Sequence, residues 1–175
     1  KEEVPGEAWI TLKPHFYDTN QLTLDAKSME IHSIEMLKGN SKKKLNFTQD
    51  DFQVFIDLDK VYNRNEDYTV YIKYTARPNE VKAQGSRAIS SAKGLYFINP
   101  RGEEPNKPTQ IWTQGEPESN SAWFPTIDKP NQKTSQEIYL TVPDQYVTLS
   151  NGKLEKQTKN SDGTRTDYWN FKEKH

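Results

Sequence analysis

The sequence has no cysteine, and its 175 residues include only three histidines and two methionines. Without cysteine the chain can form neither disulfides nor thiolate metal sites. The same absence fits a reducing cytoplasm and a periplasm or cell envelope equally well, so it leaves the compartment open. No window approaches the ~20 apolar residues that a membrane-spanning helix needs, so we expect no membrane span in this chain.

An excess of charge of one sign is also absent. Lysine and arginine total 24 and aspartate and glutamate total 25, which gives a formal net charge of -1. Such a balance provides no domain-wide field to attract phosphate backbones. Nucleic acid is therefore not an expected partner.

Groups suited to catalysis are scarce. The three histidines, His15, His32 and His175, include no pair at the i, i+4 spacing of a zinc-binding helix. The chain has no Gly-x-Ser-x-Gly motif, no phosphate-binding Gly-Lys-Ser/Thr loop and no cysteine nucleophile. We therefore predict no catalytic residue and no metal ligand within this chain.

Hydrophobic residues make up only 32% of the chain, but they follow a regular pattern. Every second residue is apolar in segments 52–58 and 68–74, and the same alternation recurs in segments 8–12, 22–26 and 138–142. Alternation with a period of two residues is typical of half-buried antiparallel strands. No segment shows a 3.6-residue period over a dozen positions, so the sequence predicts a nearly all-β protein.

Two dipeptides predict tight hairpin turns. Asn151-Gly152 and Asp162-Gly163 can both supply the positive φ angles that a type I′ connection requires. These turns would join segments 146–149, 154–158 and 166–171 into a meander.

The remaining segments are predicted as irregular. Residues 77–92 contain many small residues and little apolar periodicity, which is typical of a mobile surface loop, and residues 99–107 form a second irregular stretch. The best helical candidate is a single turn at residues 48–51. Because nothing separates two cores, we predict a single domain.

The segment at residues 113–133 is stiff and polar, unlike the alternating strands. Glu116 and Glu118 flank one proline, and Pro125 and Pro130 enclose Thr-Ile-Asp-Lys. Proline fixes φ and disfavours helix at the preceding residue, so this loop has few rotatable bonds. Judged by residue type alone, the two carboxylates are solvated loop charges, since residues two apart around a proline have no reason to face each other across a substrate.

Two motifs in this segment, Thr113-Gln-Gly-Glu116 and Phe124-Pro-Thr-Ile-Asp-Lys-Pro130 followed by Lys133, resemble a known signature. The zinc aminopeptidases of the alanyl aminopeptidase (aminopeptidase N) family carry Thr-Gln-x-Glu, then Phe-Pro-Cys-x-Asp-x-Pro and a lysine, in their N-terminal domains. The resemblance is specific around residues 109–133. A more diffuse likeness extends to segments 67–76, 94–96 and 150–152.

The resemblance implies a fold and a place in a larger polypeptide. In that family the segment belongs to an antiparallel, saddle-shaped β-sheet domain, and the zinc ligands lie in the helical domain that follows. Residues 1–175 would be a single N-terminal β domain, β-sandwich-like and truncated at both ends, without the catalytic zinc domain. The implied parent is a zinc-dependent metallo-aminopeptidase, a hydrolase that removes N-terminal residues from peptides. The domain alone is expected to be inactive and to hold no cofactor, because the zinc belongs to the catalytic domain.

The resemblance also implies substrate-binding roles for Glu116 and Gln114. Glu116 matches the family's glutamate that holds the free α-ammonium group of the substrate, and Gln114 matches a glutamine beside the first substrate side chain. An α-amine with a pKa of ~7.7–8.0 is largely protonated at neutral pH, so a carboxylate is its natural charge-assisted partner. The implied partners are a peptide N-terminus and the catalytic domain of the same polypeptide.

The other loop residues are expected to be structural. We expect Asp128 to accept backbone N–H bonds, Pro125 and Pro130 to fix the loop's shape, and Phe124 and Trp123 to anchor the loop to the sheet.

Three positions depart from the family pattern. Asn120-Ser121 stand where the family often has Ala-Arg, and Thr126 stands where it has cysteine. The missing arginine puts any salt bridge that it makes in the family in doubt, whereas the exchange of a thiol for a hydroxyl is a milder change.

Two other functions stay open. The chain could be a free-standing β-sandwich binding module for carbohydrate or protein ligands, with sugars stacked on exposed tryptophans such as Trp9, Trp112 or Trp169. Buried aromatics are, however, the commoner outcome in a chain with so few aliphatic residues. The chain could also be the N-terminal domain of a homologue that has lost its zinc ligands.

Overall fold

The computed structural model describes residues 2–82 and 92–174, which are almost entirely β-structure. The strands are β1 (Val4–Leu12), β2 (Thr19–Asp25), β3 (Met29–Lys38), β4 (Ser41–Lys44), β5 (Phe47–Gln49), β6 (Gln53–Tyr62), β7 (Tyr68–Ala76), β8 (Leu95–Ile98), β9 (Gln110–Thr113), β10 (Gln136–Pro143), β11 (Lys153–Lys159) and β12 (Thr164–Phe171). All strand pairs are antiparallel, so the predicted all-β antiparallel fold is confirmed.

Short 3₁₀ helices lie at Pro78–Glu80 and Asn120–Ala122. In the part of the chain that the structure describes, no helix is long and apolar enough to cross a membrane. Of the loop predicted at residues 77–92, residues 83–91 lie outside the described residues.

The chain folds as two compact units, residues 1–129 and residues 130–175. The first unit contains sheets of order β1-β7-β3-β4, β2-β6-β5 and β8-β9, and the second contains a sheet of order β10-β12-β11. The assignment of residues 1–175 to a single domain stays a prediction.

The core of the first unit contains the alternating residues predicted in segments 22–26, 52–58 and 68–74, together with residues of β3, which the predicted alternation did not include. Side chains of β2, β3, β6 and β7 form one buried cluster. Its least exposed members are Leu24, Ile34, Met36, Val54, Ile56, Val70, Ile72 and Ala76. Burial of one such large aliphatic side chain contributes roughly 1.5–3 kcal/mol to stability. The packing of the β1-β7-β3-β4 sheet against the β2-β6-β5 sheet therefore stabilises the first unit.

The helical turn predicted at residues 48–51 is wrong. β5 ends at Gln49, and the chain turns into β6 at Asp50. Asp50 Oδ1 accepts hydrogen bonds from the backbone N–H groups of Phe52 at 2.8 Å and Gln53 at 2.7 Å. An aspartate that bonds its own following backbone stabilises a turn in place of a helix.

In the second unit the hairpin predicted at Asp162-Gly163 is confirmed, but its predicted type I′ turn is not, because Asp162 lacks the positive φ that this turn requires. The hairpin predicted at Asn151-Gly152 is wrong. β11 and β12 are antiparallel neighbours joined at Asp162-Gly163, where Gly163 has a φ of 82°. Residues 146–149 form no strand, and β10 pairs with β12. A Cβ atom on Gly152 would lie 2.2 Å from the carbonyl oxygen of Asn170. Glycine is therefore needed there because the backbone of β12 passes so close, and Asn151-Gly152 is not a two-residue hairpin turn.

A buried ion pair attaches the β10–β11 connection to β12. The Asp167 carboxylate is fully buried and accepts hydrogen bonds from Arg165 Nε at 2.7 Å, Thr148 Oγ1 at 2.6 Å and Gln157 Nε2 at 3.0 Å. Arg165 also donates to the carbonyl oxygen of Tyr146 at 2.8 Å. The hydrogen bond from Arg165 holds the pKa of the Asp167 carboxyl well below its usual range.

This depressed pKa predicts that the second unit is destabilised by acid. Above the unfolded aspartate pKa of about 3.9 the stabilisation is fully present, and it is lost as the pH falls further, because the unfolded chain then takes up a proton that folded Asp167 does not. Hydrogen-exchange protection factors of β12 amides, measured from pH 6 to pH 3, should fall in the wild type. In Asp167→Asn the fall should be smaller, and an equal fall in both proteins would contradict the assignment.

Candidate functional site

The loop that carries the sequence-predicted site begins at the end of the β8–β9 hairpin. β8 and β9 pair from Leu95 with Thr113 to Ile98 with Gln110. The backbone N–H of Gln114 donates to the carbonyl oxygen of Gly94 at 2.9 Å, which extends the ladder by one residue. Gln114 is therefore held by main-chain bonds at the exit of β9.

The chain then turns sharply over residues 115–119. The carbonyl oxygen of Gly115 accepts the backbone N–H of Ser119 at 2.7 Å, and the Glu116–Pro117 peptide is cis. This turn lies against Gly94, which has a φ of 67°, and a Cβ atom on Gly94 would stand 1.8 Å from the carbonyl oxygen of Ser119. Only glycine allows β8 and the turn to approach so closely.

The two carboxylates of this turn have different surroundings. Glu118 Oε2 accepts a hydrogen bond from Lys129 Nζ at 2.8 Å, which raises the pKa of Lys129, and the Lys27 ammonium donates to the Glu118 carbonyl oxygen. Glu116 is exposed, and within residues 2–82 and 92–174 its carboxylate has no hydrogen-bond or ion-pair partner. The structure therefore separates a structural acid, Glu118, from an available one, Glu116.

A buried aspartate closes the other end of the loop. Asp128 Oδ2 accepts hydrogen bonds from both the backbone N–H and the hydroxyl of Ser121 at 2.8 Å. The backbone N–H of Asp128 donates to Asp25 Oδ2 at 3.0 Å, which ties the loop to the end of β2. The hydroxyl and the backbone amide of Ser121 thus satisfy the buried carboxylate.

Apolar residues anchor the same segment to the core. Trp123, Phe124 and Ile127 pack against the buried cluster of the first unit, and Pro125 is fully buried. Pro130, in contrast, is exposed and is the first residue of the second unit.

The residues that fix this loop from a distance were missed by the sequence reasoning. Asp25 pairs with Thr126 through two backbone bonds of 2.7 and 3.0 Å, and the backbone N–H of Lys27 donates to the carbonyl oxygen of Ser121 at 2.8 Å. Both belong to a segment with no motif, and no local signal in the sequence connects them with a loop about a hundred residues later.

The described residues offer no site for a metal ion. No group of three or more histidine, cysteine, aspartate or glutamate side chains comes together in residues 2–82 and 92–174. His32 Nε2 is hydrogen-bonded to Thr75 Oγ1 at 2.8 Å, and the His15 ring lies against that of Phe16. His175 lies outside the described residues. His15 and His32 therefore do not belong to a group of described side chains that could hold a zinc ion.

The three tryptophans considered as sugar platforms are not equivalent. Trp9 and Trp112 are 56% and 45% exposed, but Trp169 is only 8% exposed. The indole N–H of Trp169 donates to Thr148 Oγ1 at 3.0 Å. The expectation that Trp169 is an exposed platform is therefore wrong, because this ring packs inside the second unit.

The antiparallel β fold and the Thr-Gln-x-Glu loop are those expected of the N-terminal β domain of a zinc aminopeptidase. The chain belongs to the Peptidase M1 N-terminal domain family, whose family model matches residues 1–175. The resemblance inferred from the loop motifs is thereby confirmed.

Solved structures of M1 zinc metallopeptidases have the same fold. A mutant of a two-domain M1 zinc metallopeptidase bound to L-arginine has a TM-score of 0.78 and 16% identity, over 99% of this chain and 36% of that chain. The M1 zinc metallopeptidase from Deinococcus radiodurans has a TM-score of 0.78 and 16% identity, over 97% of this chain and 35% of that chain. The chain thus spans 36% or less of the length of these relatives. Among curated proteins, no relative matches.

Proposed function

We propose that this chain is the non-catalytic, substrate-anchoring N-terminal domain of an M1 zinc metallo-aminopeptidase, and that Glu116 binds the α-ammonium group of the peptide substrate. One observation carries the proposal: Glu116 presents an exposed carboxylate that is unpaired within the described residues, on a loop whose other acids, Glu118 and Asp128, are hydrogen-bonded. Gln114, next to it on the rigid exit of β9, borders the first substrate side chain.

An anion at this position accounts for selectivity towards peptide N-termini. A free α-ammonium group can form a charge-assisted hydrogen bond with Glu116, whereas an internal peptide bond offers no cation to pair with this carboxylate. M1 zinc metallopeptidases of this fold have been solved with L-arginine, L-tryptophan and the substrate Tyr-Ser-Ala, each of which has a free α-amino group. These ligands support the same chemistry for this chain.

The proposal divides the work between two domains. Zinc in the catalytic domain supplies the hydrolytic chemistry in this family, and the described residues of this chain hold no group of ligands for it. What this chain contributes is position, since a fixed amine places the first peptide bond at one distance from the reacting groups.

The proposal predicts a large loss of activity in Glu116→Gln. Assayed in the full-length protein that carries this domain, with an aminoacyl anilide as substrate, kcat/KM is expected to fall about 10- to 100-fold, since a hydrogen bond between charged groups is replaced by a neutral one. Steady-state kinetics with zinc-loaded protein measures this effect.

Glu118→Gln is the matched control, because it removes a carboxylate two residues away that is already paired with Lys129. Its kcat/KM should stay within about threefold of the wild type. If the two variants lose activity equally, or if Glu116→Gln is fully active, Glu116 is not the amine anchor.

A further inference from the structure

The β9 strand has one free edge. Within the described residues it pairs only with β8, and all four of its residues are exposed. Since Gln114 bonds Gly94 across the ladder, the N–H and C=O groups of Gln114 and Trp112 point towards β8. Backbone groups alternate in direction, so those of Ile111 and Thr113 point to the opposite, unpaired edge.

This edge lacks the residues with which proteins block strand addition. β4 has three lysines in four residues and β11 has three lysines in seven. β9 has the sequence QIWT, without charge or proline, and Ile111 is 60% exposed. An uncharged, exposed edge is a template for another strand, and extended peptides bind proteins in this way.

The direction of β9 determines which end of a peptide would reach Glu116. β9 runs from Gln110 towards Glu116, so a peptide added antiparallel to it has its N-terminus at the Glu116 end. A parallel peptide would place its C-terminal carboxylate beside the Glu116 carboxylate, which is unfavourable. The antiparallel orientation is the one that a site for the α-ammonium group needs.

We propose that the free edge of β9 binds the N-terminal segment of the peptide substrate as an added antiparallel strand. The inference rests on the proposed function and extends it, because it names the substrate class as extended peptides longer than dipeptides. With the first peptide residue opposite Gly115, the third residue pairs with Thr113 and the fifth with Ile111. The second and fourth residues direct their backbone groups away from β9.

The experiment compares substrates of two to six residues in the full-length zinc-loaded protein. We expect kcat/KM to rise about three- to tenfold when the third residue is added, and again with the fifth, because each adds a pair of backbone hydrogen bonds. Methylation of the backbone nitrogen of the fifth residue should remove the second rise, and methylation at the fourth residue should not.

The variant Ile111→Pro removes the N–H group at the free edge without breaking a bond to β8. It should lose the gain from the fifth residue and keep the wild-type kcat/KM for a dipeptide, which also reports correct folding. Ile111→Thr is the matched control, since threonine keeps the N–H group and suits a strand, and it should retain the full length dependence. If Ile111→Pro is misfolded, the comparison of the two methylated peptides with the wild-type protein tests the inference without any variant.

The outcomes separate the two proposals. If turnover does not depend on peptide length while Glu116→Gln is impaired, only the β9 inference is overturned. If Glu116→Gln is fully active, the proposed function is overturned and the β9 inference with it. A concentration-dependent dimer that Ile111→Pro abolishes would assign the edge to a second copy of the chain and overturn the inference.

Discussion

Replacement of Gly94 by alanine is expected to destabilise the first unit by about 3 kcal/mol or more. Two effects combine. Gly94 has a φ of 67°, where an alanine costs about 1–2 kcal/mol. In addition, the new methyl group would lie 1.8 Å from the carbonyl oxygen of Ser119, a main-chain atom that cannot rotate away.

The same substitution should displace the candidate site. The carbonyl oxygen of Gly94 accepts a hydrogen bond from the backbone N–H of Gln114. The backbone N–H of Ser119 closes the turn by donating to the carbonyl oxygen of Gly115. A shift of either backbone moves Gln114 and Glu116 together. Under the proposed function, kcat/KM of the full-length protein should therefore fall at temperatures where Gly94→Ala is still folded.

Gly102→Ala is a close control for this prediction. Gly102 has the same φ of 67°, but the nearest heavy atom to its added Cβ would be Thr109 Oγ1 at 4.0 Å. Only the backbone cost of about 1–2 kcal/mol should remain. Urea denaturation followed by circular dichroism compares the two variants, and equal losses would show that the contact with Ser119 is unimportant.

Asp167→Ala is expected to destabilise the second unit by about 3–5 kcal/mol, because removal of one partner of a buried ion pair leaves the other without compensation. The Arg165 side chain is only 13% exposed, so water cannot fully replace the carboxylate. Thr148 and Gln157 lose their acceptor at the same time. Hydrogen-exchange protection factors of the β11 and β12 amides should fall by roughly two orders of magnitude or more, which is the change in the unfolding equilibrium that this loss of stability produces.

Asp144→Asn tests whether burial is the cause. Asp144 Oδ1 contacts the same arginine, with Arg165 Nη1 at 3.1 Å, but its side chain is 41% exposed. Water can take the place of its charge, so this variant should keep most of the protection in β12. If Asp144→Asn lowers the protection as much as Asp167→Ala, the strength of the network does not come from the buried pair.

Some elements of the fold could be predicted because their signal is local. The alternation that gives β7 its buried Val70 and Ile72 is visible in the sequence, since side chains of a strand point alternately to its two faces. Turn chemistry at Asp162-Gly163 identified a hairpin for the same reason. At Asn151-Gly152 the same reasoning failed, because Gly152 is required by a neighbouring backbone, at Asn170, which the local sequence does not show.

The residues of the candidate site also differ in whether a local signal in the sequence reveals them. Gln114 and Glu116 were identified from a short motif. Gly94, Asp25 and Lys27, which hold the loop in place, were not, because their contacts join residues far apart in the chain.

The sequence by itself determined that the protein is all-β and that it belongs with the N-terminal domains of M1 peptidases, because strand alternation and the loop motif are properties of consecutive residues. Only the tertiary structure decided which of the two glutamates beside Pro117 is paired with a lysine. That choice depends on where the ammonium group of Lys129 lies, and its position is determined by the packing of the whole loop on the core.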